Sequence, residues 1–545
     1  MTHPVPTQPR TGGEVLVSAL AEHGVDTVFG IPGTHNLPIF AAMPGNGIRN
    51  ITTRHEQGAG YAADGYARST GKVGVVVTTT GPAALNAATA LGQAYSDSVP
   101  ILVIAPGMPT GHPSHGNGLL HEFRDQRGAM AGVVQESHRV ESVAEIPAAV
   151  AQAFARLNRG RRRAEYLEVP LDLLDETAVV ENIVPLATGT YEVAPEAEVN
   201  RAAAALAQAG NVVVLAGGGA SNASTQVQRV AERLGAPVIT TTNGKGVLRE
   251  DHPLALGSGM QLSEFVELIE GADAVLAVGT EFASADWFGG MPKLPKTLIR
   301  IDVDPAGLFA NANPSHPLVG DSRETLRQLD IALESLSVRA DESAAGRVAS
   351  LKERIIEAQQ RSAKTWLASL ASLDEVLPEN TVIAADNAMV AYNGALAVLR
   401  PKRSRSFLFP TGAGTLGYGL PAGIGAKIAA PETTVVVLQG DGGMMFSATE
   451  LATAAQYGVA LPVLVYDNGG YGEIHNEMVD RNDPVHSVAL NSPDFPALAR
   501  SLGCLGVELE DPADLGALVK DALAADRPTL IHIREESRAS QGLRP

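Results

Sequence analysis

Two oxygen-bearing side chains, Asp441 and Asn468, stand 27 residues apart, each just past an apolar run. The first run, Val435–Gln439, leads into Gly440-Asp441-Gly442-Gly443 and then a helical stretch through Leu451. The second, Pro462–Tyr466, leads into Asp467-Asn468-Gly469-Gly470-Tyr471-Gly472. One strand–helix–strand crossover returns a chain beside its start, so the carboxylate and the amide oxygen should meet at adjacent strand ends. A few hard oxygen ligands suit Mg²⁺, which completes its shell with water and substrate phosphate. The neighbouring glycines leave backbone N–H groups open to a diphosphate. Taken singly, each turn has a plainer explanation in the backbone preferences of Gly, Asn and Asp. The spacing, the order and the flanking strands together favour the diphosphate.

The first third carries three more glycine turns that follow or precede apolar runs. Gly30-Ile31-Pro32-Gly33-Thr34-His35 follows Val28-Phe29, Arg54–Gly60 precedes a helix through Arg68, and Gly81–Asn86 follows Val75–Thr79. Glu56 stands at the start of the second stretch, a carboxyl able to exchange a proton in an apolar pocket. The commoner role of such a residue is to stabilise a helix N-terminus. His35 and His121 are candidates for proton transfer near neutral pH, and each could equally be structural. Glu122, in a long Gly/His/Pro loop, and Glu473 could pair a cationic group or be solvated surface acids.

These residues need a frame. Short β-branched runs alternate with alanine-rich stretches from Val75–Thr79 through Leu530–Ile533. Such alternation reads as βαβ units on buried parallel sheets, with ligands at the carboxyl ends of the strands. The expected fold is α/β, with three doubly wound parallel-sheet domains. Polar stretches near 175–196 and 333–345 are placed as linkers, giving domains at 1–185, 190–335 and 350–545. In the middle third, Gly217-Gly218-Gly219 after a strand is a weak dinucleotide-like signal, with Asn222 at the third-glycine position.

Composition narrows the partners. The 545 residues are 45% hydrophobic and 19% charged, enough to bury several cores. Lys and Arg number 41 against 60 Asp and Glu, a net charge of −19 that disfavours nucleic acid and anionic lipid. The opening MTHPVPTQPRTGG lacks a signal-peptide pattern, and no apolar stretch approaches a membrane span, so a cytoplasmic location is expected. Cys504 is the lone cysteine, which leaves no internal disulfide.

Taken together, the motifs resemble those of the thiamine-diphosphate-dependent 2-oxo acid decarboxylase and acetolactate synthase superfamily. There, Gly-Asp-Gly is followed one crossover later by Asn-Asn; here the first asparagine is Asp467 and the second is retained as Asn468. The resemblance implies thiamine diphosphate and Mg²⁺ as cofactors, with the ion on Asp441, Asn468 and the carbonyl of Gly470. It implies diphosphate contacts from Gly442 and Gly443, flanked by Tyr471 and Gly472. It gives Glu56 the aminopyrimidine ring, with Pro32, Gly81, Asn86, Gly412 and Gly414 also lining the cofactor. Leu416 stands where the family usually has a methionine that wedges the two rings into a bend. The domains would then be pyrimidine-binding, central and diphosphate-binding in chain order. A homodimer or homotetramer is implied as well, because homologues build the active site between subunits.

The acetolactate synthases carry an Arg-Phe-Asp-Asp-Arg-like element for FAD, whereas Val278–Asp286 here lacks it, so the central domain is expected to work without FAD. Ile-Pro-Gly-x-His at 31–35, Leu120-His121-Glu122, Gly279-Thr280-Glu281 and Gly469–Ile474 look most like the 5-guanidino-2-oxopentanoate decarboxylases. The implied activity is decarboxylation of a small-molecule 2-oxo acid to an aldehyde and CO₂. Three alternatives stay open: an acetolactate synthase-like carboligase, a flavin- or nicotinamide-dependent oxidoreductase using the Gly217 turn, and a nonenzymatic thiamine-diphosphate-binding regulator. Glu56 argues against the last, since holding a diphosphate requires no such acid.

Overall fold

The structure, a computed structural model, describes residues 8–113, 116–181, 183–186, 192–287, 290–340 and 344–535. It contains three six-stranded sheets, all parallel within themselves, and a small antiparallel pair, Arg10–Thr11 with Thr177–Ala178. Central strands such as Gly74–Val77, Val212–Ala216 and Pro462–Asp467 are buried at every position. That is why they read as unbroken Val/Ile/Leu runs: helices cover both faces. Among the described residues no helix is long and apolar enough to cross a membrane.

The chain forms two compact units, one of residues 1–189, 413–431 and 447–459, the other of 190–412, 432–446 and 460–545. The first unit holds the sheet ordered Arg49–Ile51, Thr27–Gly30, Gly74–Val77, Ile101–Gly107, Glu165–Pro170, Glu136–Arg139. The second holds two sheets. One runs Ala255–Ser258, Val238–Thr240, Val212–Ala216, Ala274–Val278, Thr297–Asp302, His316–Val319. The other runs Phe407–Leu408, Val382–Ala385, Val435–Gly440, Pro462–Asp467, Thr529–Arg534, Leu505–Glu508.

Within the second unit, Arg300 is fully buried and donates to the carbonyl oxygens of Thr280, Leu308, Ala310 and Ala312 at 2.7–3.0 Å. These bonds offset the cost of taking a guanidinium out of water. Lys245, equally buried, pairs with Glu250 at 2.7 Å and donates to the Leu396 carbonyl at 2.9 Å, tying the two sheets' domains together.

The two stretches 344–374 and 441–456 are each two helices: Ala344–Ser362 and Leu367–Asp374, then Asp441–Ser447 and Glu450–Gln456 where one helical stretch through Leu451 was expected. In the second case the halves belong to different compact units, a distinction local periodicity does not carry. The polar stretch 333–345 begins inside helix Ser322–Ser335, and its residues 341–343 lie outside the described residues, as do 182 and 187–191 of the other stretch.

The first unit is knit by helix Glu56–Thr70 crossing helix Gly419–Ala429 with no side chains between their backbones. A Cβ on Gly65 would collide with the Ala422 carbonyl, and one on Gly425 with that of Ala62. Gly425→Ala should therefore destabilise the protein by roughly 3 kcal/mol, because neither helix can yield without disturbing its packing. The expected reading is a lower urea midpoint; an unchanged midpoint would show that the helices separate freely.

Candidate active site

Each sheet has a point where two neighbouring strands lead off in opposite directions, and their ends splay there into a crevice. In the first sheet the reversal lies between Thr27–Gly30 and Gly74–Val77, so the residues after those strands face one another. His35 Nδ1 lies 2.6 Å from the Thr80 hydroxyl, and His121 Nδ1 lies 3.3 Å from the same oxygen. The two rings meet edge to face at 5.4 Å. Burial, and then the nearby His121, hold the His35 imidazole below its usual range. Gly81 has a left-handed φ of 62°, and a Cβ there would strike the His121 carbonyl, so the loop bearing His121 rests on this glycine.

Glu56 opens its helix half-buried, and Asn86 donates to it at 2.9 Å. The turn before it is held by Glu450, which sequence reasoning missed. This carboxylate, 1% exposed, accepts the N–H groups of Arg54 and His55, both at 3.0 Å, and the Thr453 hydroxyl at 2.6 Å. Burial raises its pKa against those donors. An acid inside the alanine-rich Glu450-Leu-Ala-Thr-Ala-Ala-Gln stretch was the available signal.

Lower on Glu56's helix, fully buried Asp64 accepts from Arg68 and Tyr418, each at 2.6 Å, and Arg68 continues to Asp97 at 2.7 Å. Leu416, half-buried, sits between Gly414 and Gly417, whose φ values are 63° and 82°. Thr415 beside it donates to Gln93. Pro32 is exposed in its turn, and Gly412 and Gly414 are exposed in theirs.

In the second unit the last sheet reverses between Val382–Ala385 and Val435–Gly440. Asp386 and Asp441 follow those strands, and Asn468 follows the next. Asp386, fully buried, accepts from Gln439 at 2.9 Å and lies against Gly443, while the Tyr471 ring lies against Gly442. Asp441 begins its short helix and receives N–H groups from Gly442 and Asn468, so the crossover does bring Asp441 and Asn468 together. Burial and the Asp467 carboxylate nevertheless push it up to about 7. Its Oδ2 is buried without a hydrogen-bond partner. Asn468 Oδ1 accepts from Gly470 N–H at 3.2 Å, its amide nitrogen lies beside Gly472, and the Gly470 carbonyl accepts from Gly472 N–H at 3.1 Å.

A buried carboxylate oxygen left without a hydrogen-bond partner fits a divalent cation. Among the described residues no three His, Cys, Asp or Glu side chains converge as a metal site. Any ion here would therefore complete its shell with backbone, water and phosphate oxygens. Asp467 is tied elsewhere. Burial acts to raise it, but fully buried His532 at 2.9 Å, the Ser492 hydroxyl at 2.7 Å and Gly469 N–H hold it below the usual carboxylate range.

The two acids considered for a guanidinium differ. Glu122 is committed to its own loop: it accepts N–H groups from Asn117, Gly118 and Leu119 at 2.8–3.2 Å and pairs with His112 at 2.7 Å. Its carboxylate is thus a brace for the loop carrying His121, and no longer free for a substrate cation. Glu473 is exposed in the first turn of helix Gly472–Asp480, with one oxygen held by the Tyr392 hydroxyl at 2.8 Å. In the central sheet, Gly217 and Gly219 donate their N–H groups to the carbonyls of Val278 and Gly279, which accounts for those glycines by close backbone packing.

Glu450→Ala would strand the Arg54 and His55 N–H groups, each costing about 1–3 kcal/mol when buried and unpaired. Those two amides should then exchange with deuterium faster than the rest of the first unit. Unchanged protection would remove Glu450 from the positioning of Glu56.

Residues 10–129 match the N-terminal TPP binding domain of thiamine pyrophosphate enzymes, 199–329 their central domain, and 390–533 their C-terminal TPP binding domain. The chain is 41% identical to the probable 2-ketoarginine decarboxylase AruI of Pseudomonas aeruginosa, across 98% of this chain and 96% of that one. It is 33% identical to the probable acetolactate synthase large subunit of Methanocaldococcus jannaschii, across 96% and 91%. It is 31% identical to the acetolactate synthase isozyme 3 large subunit of Escherichia coli, across 94% and 92%. With all three domains matched in order and a relative this similar along nearly its whole length, the chain belongs to the thiamine pyrophosphate enzyme family.

Proposed function

We propose that this protein decarboxylates 2-ketoarginine, 5-guanidino-2-oxopentanoate, to CO₂ and the matching aldehyde. The observation that carries the reading is the 41% identity, end to end, with a relative bearing that activity in its name. Glu473 supplies a physical reason. A carboxylate already oriented by Tyr392 keeps one oxygen for a guanidinium, and Arg-type groups suit such a partner.

Thiamine diphosphate, when bound, supplies the sink for the electrons released as CO₂ leaves. The chain's own residues bind and orient it. Asp441, Asn468 and the Gly470 carbonyl hold Mg²⁺, Gly442 and Gly443 face the diphosphate, and Tyr471 and Gly472 flank it. Glu56, fixed by Asn86 and by the Glu450-anchored turn, faces the aminopyrimidine, with Pro32, Gly81, Gly412, Gly414 and Leu416 lining the rings. The reading includes a homodimer or homotetramer, in the cytoplasm, with carboligation of pyruvate as a possible side reaction by analogy with the acetolactate synthases. The buried Cys504, whose thiol burial raises to about 11, suits a reducing compartment.

Steady-state assays with a panel of 2-oxo acids should give the largest kcat/KM for 2-ketoarginine. Glu473→Gln should narrow its preference over pyruvate by about tenfold, the loss of one charge-assisted hydrogen bond. A higher kcat/KM for pyruvate, with acetolactate as product, would overturn the substrate assignment. For the ion, Asp441→Ala should fail to retain thiamine diphosphate through gel filtration in Mg²⁺, and wild type should lose it in chelator. Full retention in chelator would overturn the metal assignment.

A further inference from the structure

We propose that His35, Thr80 and His121 form a proton relay, in which the Thr80 hydroxyl couples the two imidazoles and the relay supplies the proton that replaces CO₂ on the substrate carbon. This rests on the decarboxylase reading above and adds to it the residue that links the two histidines. Thr80 is fully buried at the reversal point of the first sheet, with His35 Nδ1 at 2.6 Å and His121 Nδ1 at 3.3 Å. Both rings are half-buried. Among the described residues neither Nε2 has a hydrogen-bond partner, so those are the ends left for substrate and solvent.

A hydroxyl has one proton. Among the described residues the two Nδ1 atoms are the partners of this buried hydroxyl, so its proton goes to one of them and the other ring donates to it. The rings are therefore held in opposite tautomers. With the shorter contact as the hydroxyl's donation, His35 carries its proton on Nε2 and His121 carries its own on Nδ1. The trio thus presents one N–H donor and one free nitrogen acceptor. The low basicity that burial gives His35 agrees with a neutral ring in that tautomer.

The transfer balances without an oxidant. The bond to CO₂ breaks and leaves an electron pair on the substrate carbon, and a C–H bond forms with the proton from His35 Nε2. His35 Nδ1 then takes the Thr80 hydroxyl proton, Thr80 takes the proton on His121 Nδ1, and His121 Nε2 takes one from water. One proton is consumed per aldehyde formed. The support is geometric as well: His121 has a left-handed φ of 60°, its loop rests on Gly81, and Glu122 braces the same loop through three backbone N–H groups.

Two measurements test this. In ¹⁵N-histidine-labelled wild-type protein without substrate, NMR should show His35 and His121 in opposite tautomers; the same tautomer in both rings overturns the relay. In the holoenzyme, turnover is partitioned between aldehyde, which needs the proton, and the carboxylic acid formed when added ferricyanide removes two electrons instead. Thr80→Val should lower the aldehyde-to-acid ratio at least about tenfold, and Thr80→Ser should restore it. A smaller fall, or a fall that serine does not restore, overturns the relay, since a merely structural loss lowers both products together. The ratio is read on whichever 2-oxo acid the wild type turns over, so failure of the 2-ketoarginine assignment shows in the wild type and failure of the relay in the ratio. If Thr80→Val does not fold, the tautomer measurement decides.

Discussion

The gap at the point where each parallel sheet reverses its winding is the constraint around which the rest of this protein is arranged. Chains leaving the two strands there head to opposite sides, so no helix can cover the gap. Something else must fill it. In the first sheet the filling is His35, Thr80 and Gly81; in the last it is Asp386 and Asp441; in the central sheet it is backbone, with Gly217 and Gly219 bonded to Val278 and Gly279. The first and last sheets share one strand order and the central sheet has another; their reversal points hold polar side chains in the first two and main chain alone in the third. Topology alone assigns no function; the filling does.

Holding reactive groups at such gaps requires charges in places that water leaves. The protein meets this by surrounding its supporting charges with donors while leaving a working group short of them. Asp64, Glu450 and Asp467 are buried acids, each with two or more donors from nearby elements. Asp441, by contrast, keeps a buried oxygen without a partner, and burial with Asp467 makes its charge costly. A buried polar atom left unpaired is a local loss of stability. It is tolerated where a ligand can relieve it.

The same logic reinterprets the loop between Met108 and Asp125. By type, Glu122 could pair a guanidinium bidentately or be a solvated acid. The fold spends both its oxygens on the backbone of its own loop and on His112. Glu122 therefore fixes the loop on which His121 sits. Glu473, set at a helix start with Tyr392 holding one of its oxygens, is exposed and differs from Glu122 in that respect.

Much of this was legible in the chain itself. The runs of Val, Ile and Leu between glycine turns could only be strands covered on both faces, because nothing else buries consecutive β-branched residues so economically. The spacing of Asp441 and Asn468, one crossover apart, was enough to place them at neighbouring strand ends. What composition and periodicity could not supply was which distant groups would share one hydrogen bond. Glu450 lies nearly 400 residues from the turn it anchors, and Thr80 becomes a bridge only once the ends of two strands and a long loop converge on its oxygen. The helix after Gly440 divides for the same reason, its halves joining different compact units. Local pattern records which face of an element avoids water; it carries no information on which of many possible partners, far along the chain, will satisfy a given polar atom, and only the closed tertiary structure decides that.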